Sequence, residues 1–205
     1  MGFERALPWL LTALAAGFLI GSIPAGVIVA RIFGLGDLRR IGSGNIGATN
    51  VLRTGSKPAA ALTLAFDMAK GFVAVLAFLN WGDLAAQAAG IGAVLGHCLT
   101  PWLWFRGGKG VATFLGVILG FYWLAGLLVC ATWLAAAAVT RISSAAALVS
   151  AASAPLWLFL LGRKEAVLAA ALLALWVILR HHANIRRLIA GTEPRIGKKD
   201  AGGGT

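Results

Sequence analysis

GVATFLGVILGFYWLAGLLVCATWLAAAAVT, residues 110–140, runs without a single charged side chain. A helix rising 1.5 Å per residue crosses the ~30 Å hydrocarbon core of a bilayer in about 20 residues. The stretch is therefore long for one crossing and short for two. Gly116, Gly120 and Gly126 flank the aromatic trio Phe121-Tyr122-Trp123, and such rings gather where a membrane meets water. A tight turn at the trio, between two short helices, gives the chain seven crossings. Without it there are six.

Outward from this stretch, charge-free runs cover residues 6–30, 71–82, 84–105, 142–162 and 166–179. The second is too short alone, so its helix is expected to start near Pro58 and to take in Asp67 and Lys70. The last is also short, and Lys164 and Arg180 are expected to snorkel at its ends. The first runs too far for a cleavable leader and is expected to be a retained span. Cys98 and Cys130 lie in apolar segments with no second ligand at metal-binding spacing and read as small hydrophobes.

Composition and charge support the membrane reading. Of the 205 residues, 60% are hydrophobic and 12% charged, with a mean hydropathy of +0.86; soluble domains carry about 25% charged residues. The net charge of +11 does not point to nucleic acid, because the basic residues fall between apolar runs, as in loops on the inner face of a membrane. With seven crossings, fourteen of the eighteen lysines and arginines fall on one side, Arg5, Arg163 and Lys164 on the other, and Lys70 within a span. That asymmetry places the N-terminus outside and the C-terminus in the cytoplasm. The expected fold is an all-α integral membrane protein of about seven helices, one domain over residues 1–205, with a flexible Gly-rich tail at 198–205.

Three polar segments share the basic side. In Ile41-Gly42-Ser43-Gly44-Asn45-Ile46-Gly47-Ala48-Thr49-Asn50-Val51-Leu52-Arg53, glycines allow close backbone approach, and concave arrays of N–H groups favour anions. Ser43, Asn45, Thr49 and Asn50 add neutral hydrogen-bonding groups, and Arg53 adds a permanently charged fork. The second segment runs from Gly96-His97 to Arg106-Gly107-Gly108-Lys109-Gly110 and opens into a helix near Val111. A helix N-terminus suits phosphate, yet the spacing is not that of a nucleotide-binding phosphate loop. The third, His181-His182-Ala183-Asn184-Ile185-Arg186-Arg187 through Gly191-Thr192-Glu193, places His181 and Asn184 on one face if the last helix continues. Asp67 and Lys70, three apart within a span, are expected to neutralise each other.

Taken together and in this order, the three segments resemble the signatures of the PlsY family of bacterial acyl-phosphate:glycerol-3-phosphate acyltransferases, and the likeness runs from end to end. The resemblance implies a seven-helix inner-membrane enzyme without metal or other cofactor, its active site facing the cytoplasm. It would make lysophosphatidic acid from glycerol 3-phosphate and acyl phosphate, with the bilayer as its only other partner. By position, Ser43 and Arg53 match the family's essential serine and arginine. Gly107, Gly108, Lys109 and Gly110 match its glycerol-3-phosphate loop. His181 and Asn184 match activity residues, and Glu193 a structural glutamate. The expected catalytic set is then Ser43, Arg53, Lys109, His181 and Asn184. Gly44, Asn45, Thr49, Asn50, His97, Gly107, Gly108, Gly110 and Arg187 are expected at the substrates, and Asp67, Lys70 and Glu193 in support.

The residues leave two points open. Either His181 or a substrate phosphate takes the hydroxyl proton, and no loop reads one particular acyl leaving group. Acyltransferases built on a His-x-x-x-x-Asp pair are excluded, since Trp102, Arg186 and Arg187 stand five residues after His97, His181 and His182. A phosphate-ester transporter is disfavoured by the absence of an internal repeat and by the one-sided placement of the motifs.

Overall fold

The computed structural model describes residues 3–196, with side chains from Leu7 onward. The tail expected at 198–205, with Lys198 and Lys199, and the side chain of Arg5 lie outside the described residues. The described residues are helical and contain no strand.

The first apolar run is broken. Helix α1 (Phe3–Gly21) stops before Pro24, and α2 (Ala25–Ile32) resumes on the other side. Proline has no N–H to donate and disfavours α geometry in the residue before it. A short α3 (Ala48–Leu52) follows a polar loop, and α4 (Lys57–Phe78) begins as expected, capped by Ser56 Oγ accepting from the N–H of Ala59. Then come α5 (Asp83–Cys98), α6 (Val111–Phe121) and α7 (Trp123–Thr140). The expected break in residues 110–140 falls at Tyr122, an extended residue (φ −159°) between α6 and α7. The last helices are α8 (Ser143–Leu160), α9 (Lys164–Arg180) and α10 (His182–Ile189). The last helix does not continue straight through His181, the condition on which His181 and Asn184 would share one helix face: α10 bends 63° from α9.

Among the described residues four segments are long and apolar enough to cross a membrane, Leu7–Ile32, Lys57–Trp81, Trp123–Thr140 and Ser143–Leu160, and the bent α9–α10 pair makes a fifth when counted as one span. Large side chains point outward: Leu11, Leu19, Phe66, Leu134, Leu168 and Val139 are all exposed, while the core is built mainly of alanine, valine and glycine. That inversion suits lipid solvent, where small residues let helices pack and apolar groups gain nothing by hiding. Between α1 and α5 a Cβ on Gly17 or Gly21 would run into the backbone of Ala89 or Ala93, and one on Gly92 or Gly96 into that of Leu14 or Phe18. Gly116 and Gly120, expected to frame an interfacial turn, instead seat α6 on Met68 and Val75 of α4, while Gly126 packs on Leu119 across the break.

Contacts sort the loops to two ends. Trp9 stacks edge-on with Trp81 at 5.2 Å, Arg163 lies 5.2 Å over the Tyr122 ring, and Gln87 reaches the carbonyl of Glu165. At the other end Thr49 meets Ser143, Ser144 meets Glu193, Arg180 meets Gly108, and the N–H of Ile196 donates to Arg141. The three polar segments therefore lie at the same end of the bundle. Exposed Trp102, Trp104 and Phe105 give that end aromatic side chains suited to an interface.

Candidate active site

A pocket of about 610 Å³ opens where the polar segments meet α4, α6, α7 and α8. Its polar part is lined by Ser43, Asn45, Thr49, Asn50 and Arg53 from the first segment, His97, Lys109 and Gly110 from the second, and His181, Asn184 and Glu193 from the third. Leu64, Met68, Leu115, Cys130, Trp133 and Leu134 line the remainder. One cavity thus joins a cationic end to an apolar groove. Gly44, Gly107, Gly108 and Arg187, expected at the substrates, are not among its lining residues.

Four amides of the glycine loops, those of Ser43, Gly44, Gly107 and Gly108, are not offered as the sequence suggests. The N–H of Gly44 donates to Ile41, that of Gly107 to Cys98 and that of Gly108 to His97, and that of Ser43 goes to Asn50 Oδ1. Spent donors cannot also hold an anion. In the first segment it is side chains that reach the pocket. Asn50 is the brace: its Nδ2 donates to Leu38 while Oδ1 accepts from the backbone and hydroxyl of Ser43. A Cβ on Gly42 would meet Arg53 and Asn50, so the left-handed turn there (φ +51°) leaves Arg53 room to reach the pocket. In the second segment, Gly110 takes φ +85° and opens α6, whose first residues Val111 and Ala112 line the pocket. A helix start carries unpaired N–H groups and a partial positive charge.

Glu193 organises the third segment. Its Oε1 accepts from Ser144 Oγ at 2.7 Å and Asn184 Nδ2 at 2.6 Å, and its Oε2 from Arg187 Nε at 2.6 Å. Burial pushes its carboxyl up, but those hydrogen bonds prevail and hold it below the ordinary glutamate range. Arg187 is thus a partner of Glu193. A carboxylate only accepts, so the amide nitrogen of Asn184 must face it. That leaves Asn184 Oδ1 buried, with no hydrogen-bond partner among the described residues.

His181 sits in the bend between α9 and α10 with Nδ1 2.7 Å from the carbonyl of Val177. The carbonyl can only accept, so Nδ1 carries the proton and Nε2 holds the lone pair. Burial, aided by the positive charges of Lys109 and Arg180, pushes the imidazole down to about 4. Lys109 is pushed down to about 8, chiefly by burial and then by the charges of Arg187, Arg180 and Arg53, against the opposing pull of Glu193.

Several lining residues were not expected from the sequence. Ser143 and Ser144 come from the first turn of α8, and Lys57 from the start of α4. Arg180, expected only to snorkel, does not line the pocket but is half-buried behind it and donates through Nη2 to the carbonyl of Gly108 at 3.2 Å. Asp67 and Lys70 pair at 2.7 Å as expected, but not as an isolated couple: Lys70 Nζ also lies 2.7 Å from His97 Nδ1.

The fold defines an all-helical integral membrane protein with a large, part-cationic pocket at the end where its polar loops meet. Residues 11–191 match the family model described as glycerol-3-phosphate acyltransferase, and the chain belongs to that family. It is 56% identical over 197 residues to a glycerol-3-phosphate acyltransferase of Cereibacter sphaeroides, covering 96% of this chain and 94% of the relative. The corresponding protein of Brucella anthropi is 51% identical over 190 residues, covering 93% and 94%. Among solved structures, the glycerol 3-phosphate form of PlsY (YgiH), an integral membrane glycerol 3-phosphate acyltransferase, superposes with a TM-score of 0.86. It is 35% identical, with 92% of this chain and 96% of that one covered. The lysophosphatidic acid form of PlsY superposes with a TM-score of 0.84 at 33% identity.

Proposed function

We propose that the chain transfers a fatty acyl group from acyl phosphate to the 1-hydroxyl of glycerol 3-phosphate, releasing lysophosphatidic acid and phosphate. The observation that carries this reading is the single pocket with a cationic end and an apolar groove. Glycerol 3-phosphate fits the first, and a donor with a phosphate head and an acyl tail spans both. The comparison with PlsY supports the acceptor and the product, and the sequence resemblance supports the donor.

Arg53 and Lys109 hold phosphate oxygens, each charge-assisted hydrogen bond contributing about 1.5–3 kcal/mol, and the first turn of α6 adds its dipole. Asn184 Oδ1 accepts from the glycerol hydroxyl and orients its lone pair toward the acyl carbon. The hydroxyl oxygen bonds to that carbon, and the Ser43 hydroxyl, rotating away from Asn50 Oδ1, donates to the developing oxyanion. The carbon–oxygen bond to phosphate then breaks, and the proton of the hydroxyl leaves on the phosphate. An imidazole pushed down to about 4 is a weaker base than a phosphate whose second pKa is about 6. Burial disfavours the imidazolium in this site, which favours the substrate phosphate over His181 as proton acceptor. His181 then acts as a neutral acceptor through Nε2.

We further place seven crossings in the bacterial inner membrane, α1–α2 counting as one and each of α4 to α9 as another. The N-terminus is outside and the pocket faces the cytoplasm. The alternation of loops between two ends and the one-sided basic charge support this. The test is to mix purified protein with labelled glycerol 3-phosphate and palmitoyl phosphate, then with palmitoyl thioesters of CoA and of acyl carrier protein. Labelled lysophosphatidic acid from the phosphate alone is expected. Turnover with a thioester and none with the phosphate overturns the donor assignment.

A further inference from the structure

Beneath the glycine loop lies a buried ionic cluster that the reaction above does not use. Asp67, Lys70 and His97 are 2%, 7% and 4% exposed, a costly placement unless each charge is met. Lys70 Nζ is met three times: by Asp67 at 2.7 Å, by His97 Nδ1 at 2.7 Å and by the carbonyl of Ile23 at 3.0 Å. His97 Nδ1 also lies 3.4 Å from Asp67 Oδ1; with Lys70 as the ammonium of its closer ion pair, which has no lone pair, Nδ1 accepts from Lys70. The ring is thereby fixed in orientation and tautomer, with Nε2–H directed away from Lys70.

The far edge of that ring meets the glycine loop. A Cβ on Gly108 would run into His97 Nε2, and the three heavy atoms nearest to it all belong to the imidazole. Gly108 is not among the glycines with a left-handed backbone, so the ring is the obstacle to a side chain. The carbonyl of His97 also accepts from the N–H of Gly108 at 3.0 Å and from Thr100 Oγ1 at 2.9 Å. Lys109 is the next residue. A second tie holds the same loop to the end of α1, Trp102 Nε1 donating to Ser22 Oγ at 3.0 Å.

We propose that Asp67, Lys70 and His97 are positioning residues that seat the glycine loop, with the His97 ring under Gly108 setting where Lys109 meets the phosphate of glycerol 3-phosphate. The assignment rests on the function proposed above. It explains why a buried lysine of α4 reaches α5 and the α1–α2 break at once: the cluster ties these elements to the loop that carries Lys109. It also gives Gly108 a reason to be glycine although its N–H is spent on the protein.

The experiment uses the full-length protein in detergent with glycerol 3-phosphate and palmitoyl phosphate. In His97→Asn the amide oxygen takes the place of Nδ1 for Lys70, while the ring edge is removed. KM for glycerol 3-phosphate is expected to rise about tenfold, with kcat within about threefold and the ligand-free melting temperature close to that of the native protein. Gly108→Ala alone is expected to raise KM at least as much. In the His97→Asn/Gly108→Ala protein the methyl occupies the vacated space, so KM is no worse than for His97→Asn alone. An unchanged KM in His97→Asn, or a double variant whose loss is the product of the two single losses, overturns the proposal. If His97→Asn does not fold, Asp67→Asn is measured instead: a raised KM supports the seat and an unchanged one removes it. The thermal shift induced by glycerol 3-phosphate separates this inference from the donor assignment. A native protein that glycerol 3-phosphate stabilises, but that does not turn over palmitoyl phosphate, counts against the donor only.

Discussion

Raising the pH removes the charge from Lys109. The ordinary lysine value is 10.5, and burial together with Arg187, Arg180 and Arg53 brings Lys109 down to about 8. For a base lowered in this way the cation is present below that value and is lost as pH rises through it. About nine-tenths of the free enzyme carries the charge at pH 7 and about one-tenth at pH 9. Over that range glycerol 3-phosphate stays a dianion, since its second pKa is about 6. If Lys109 holds the phosphate, kcat/KM for glycerol 3-phosphate falls about tenfold between pH 7 and pH 9. kcat falls less, because bound phosphate pulls the lysine pKa back up. Lys109→Arg should flatten the profile, since a guanidinium does not deprotonate in this range, though with lower absolute activity because its geometry differs. The assay is initial rate against glycerol 3-phosphate at fixed, saturating palmitoyl phosphate, half a pH unit at a time. A native profile flat to pH 9.5, or an equal fall in Lys109→Arg, refutes the role given to this side chain.

Other perturbations test other parts. Glu193→Gln should lower the melting temperature at pH 7 and raise KM, because an amide leaves one acceptor oxygen for Ser144, Asn184 and Arg187, turns an NH2 donor toward them and removes the charge facing Arg187. The native carboxyl is held below its ordinary value of 4.5, so its contribution to stability is present above about pH 4.5 and fades as pH falls through the lower folded value. Melting temperatures of native and variant protein should therefore converge on acidification. Cys130→Phe, on the apolar wall of the pocket, should cut kcat/KM for palmitoyl phosphate at least tenfold more than for decanoyl phosphate, read by competition between the two donors. Gly21→Leu would drive a side chain into the backbone of Ala93. The expected result is loss of the monodisperse peak in detergent size-exclusion chromatography.

Much of the fold was legible because lipid simplifies the code. The chain break at Tyr122 followed from stretch length and an aromatic trio, and α4 began beside Pro58 as its missing length required. Residues 6–30 read as one span because their apolar character never falters, yet Pro24 splits them, a local signal hidden by composition. The bend at His181 has no proline or glycine to announce it. There α10 turns to bring Asn184 to Glu193, and only tertiary contacts supply the reason. The polar set that reaches the pocket was readable from residue types in three segments. What those types concealed was direction. Gly44, Gly107 and Gly108 look like an anion cradle until their N–H groups are found on carbonyls of the protein itself. His97 reads as a binding residue, but its ring nitrogen belongs to Lys70, 27 residues away along the chain. Ser144 and Arg180 carry no signal in the sequence, because a serine at a helix start and an arginine at a span's end have ordinary explanations.

The account depends on three distant segments building one centre at one face of the membrane. Single cysteines at the exposed positions Arg40, Arg106 and Arg186, in a background lacking Cys98 and Cys130, report this directly. In sealed inverted vesicles a membrane-impermeant maleimide should label all three from the cytoplasmic side, while a cysteine at Lys164 stays unlabelled until the vesicles are opened. If any of the three were reached only from the side that exposes Lys164, the segments could not share a pocket.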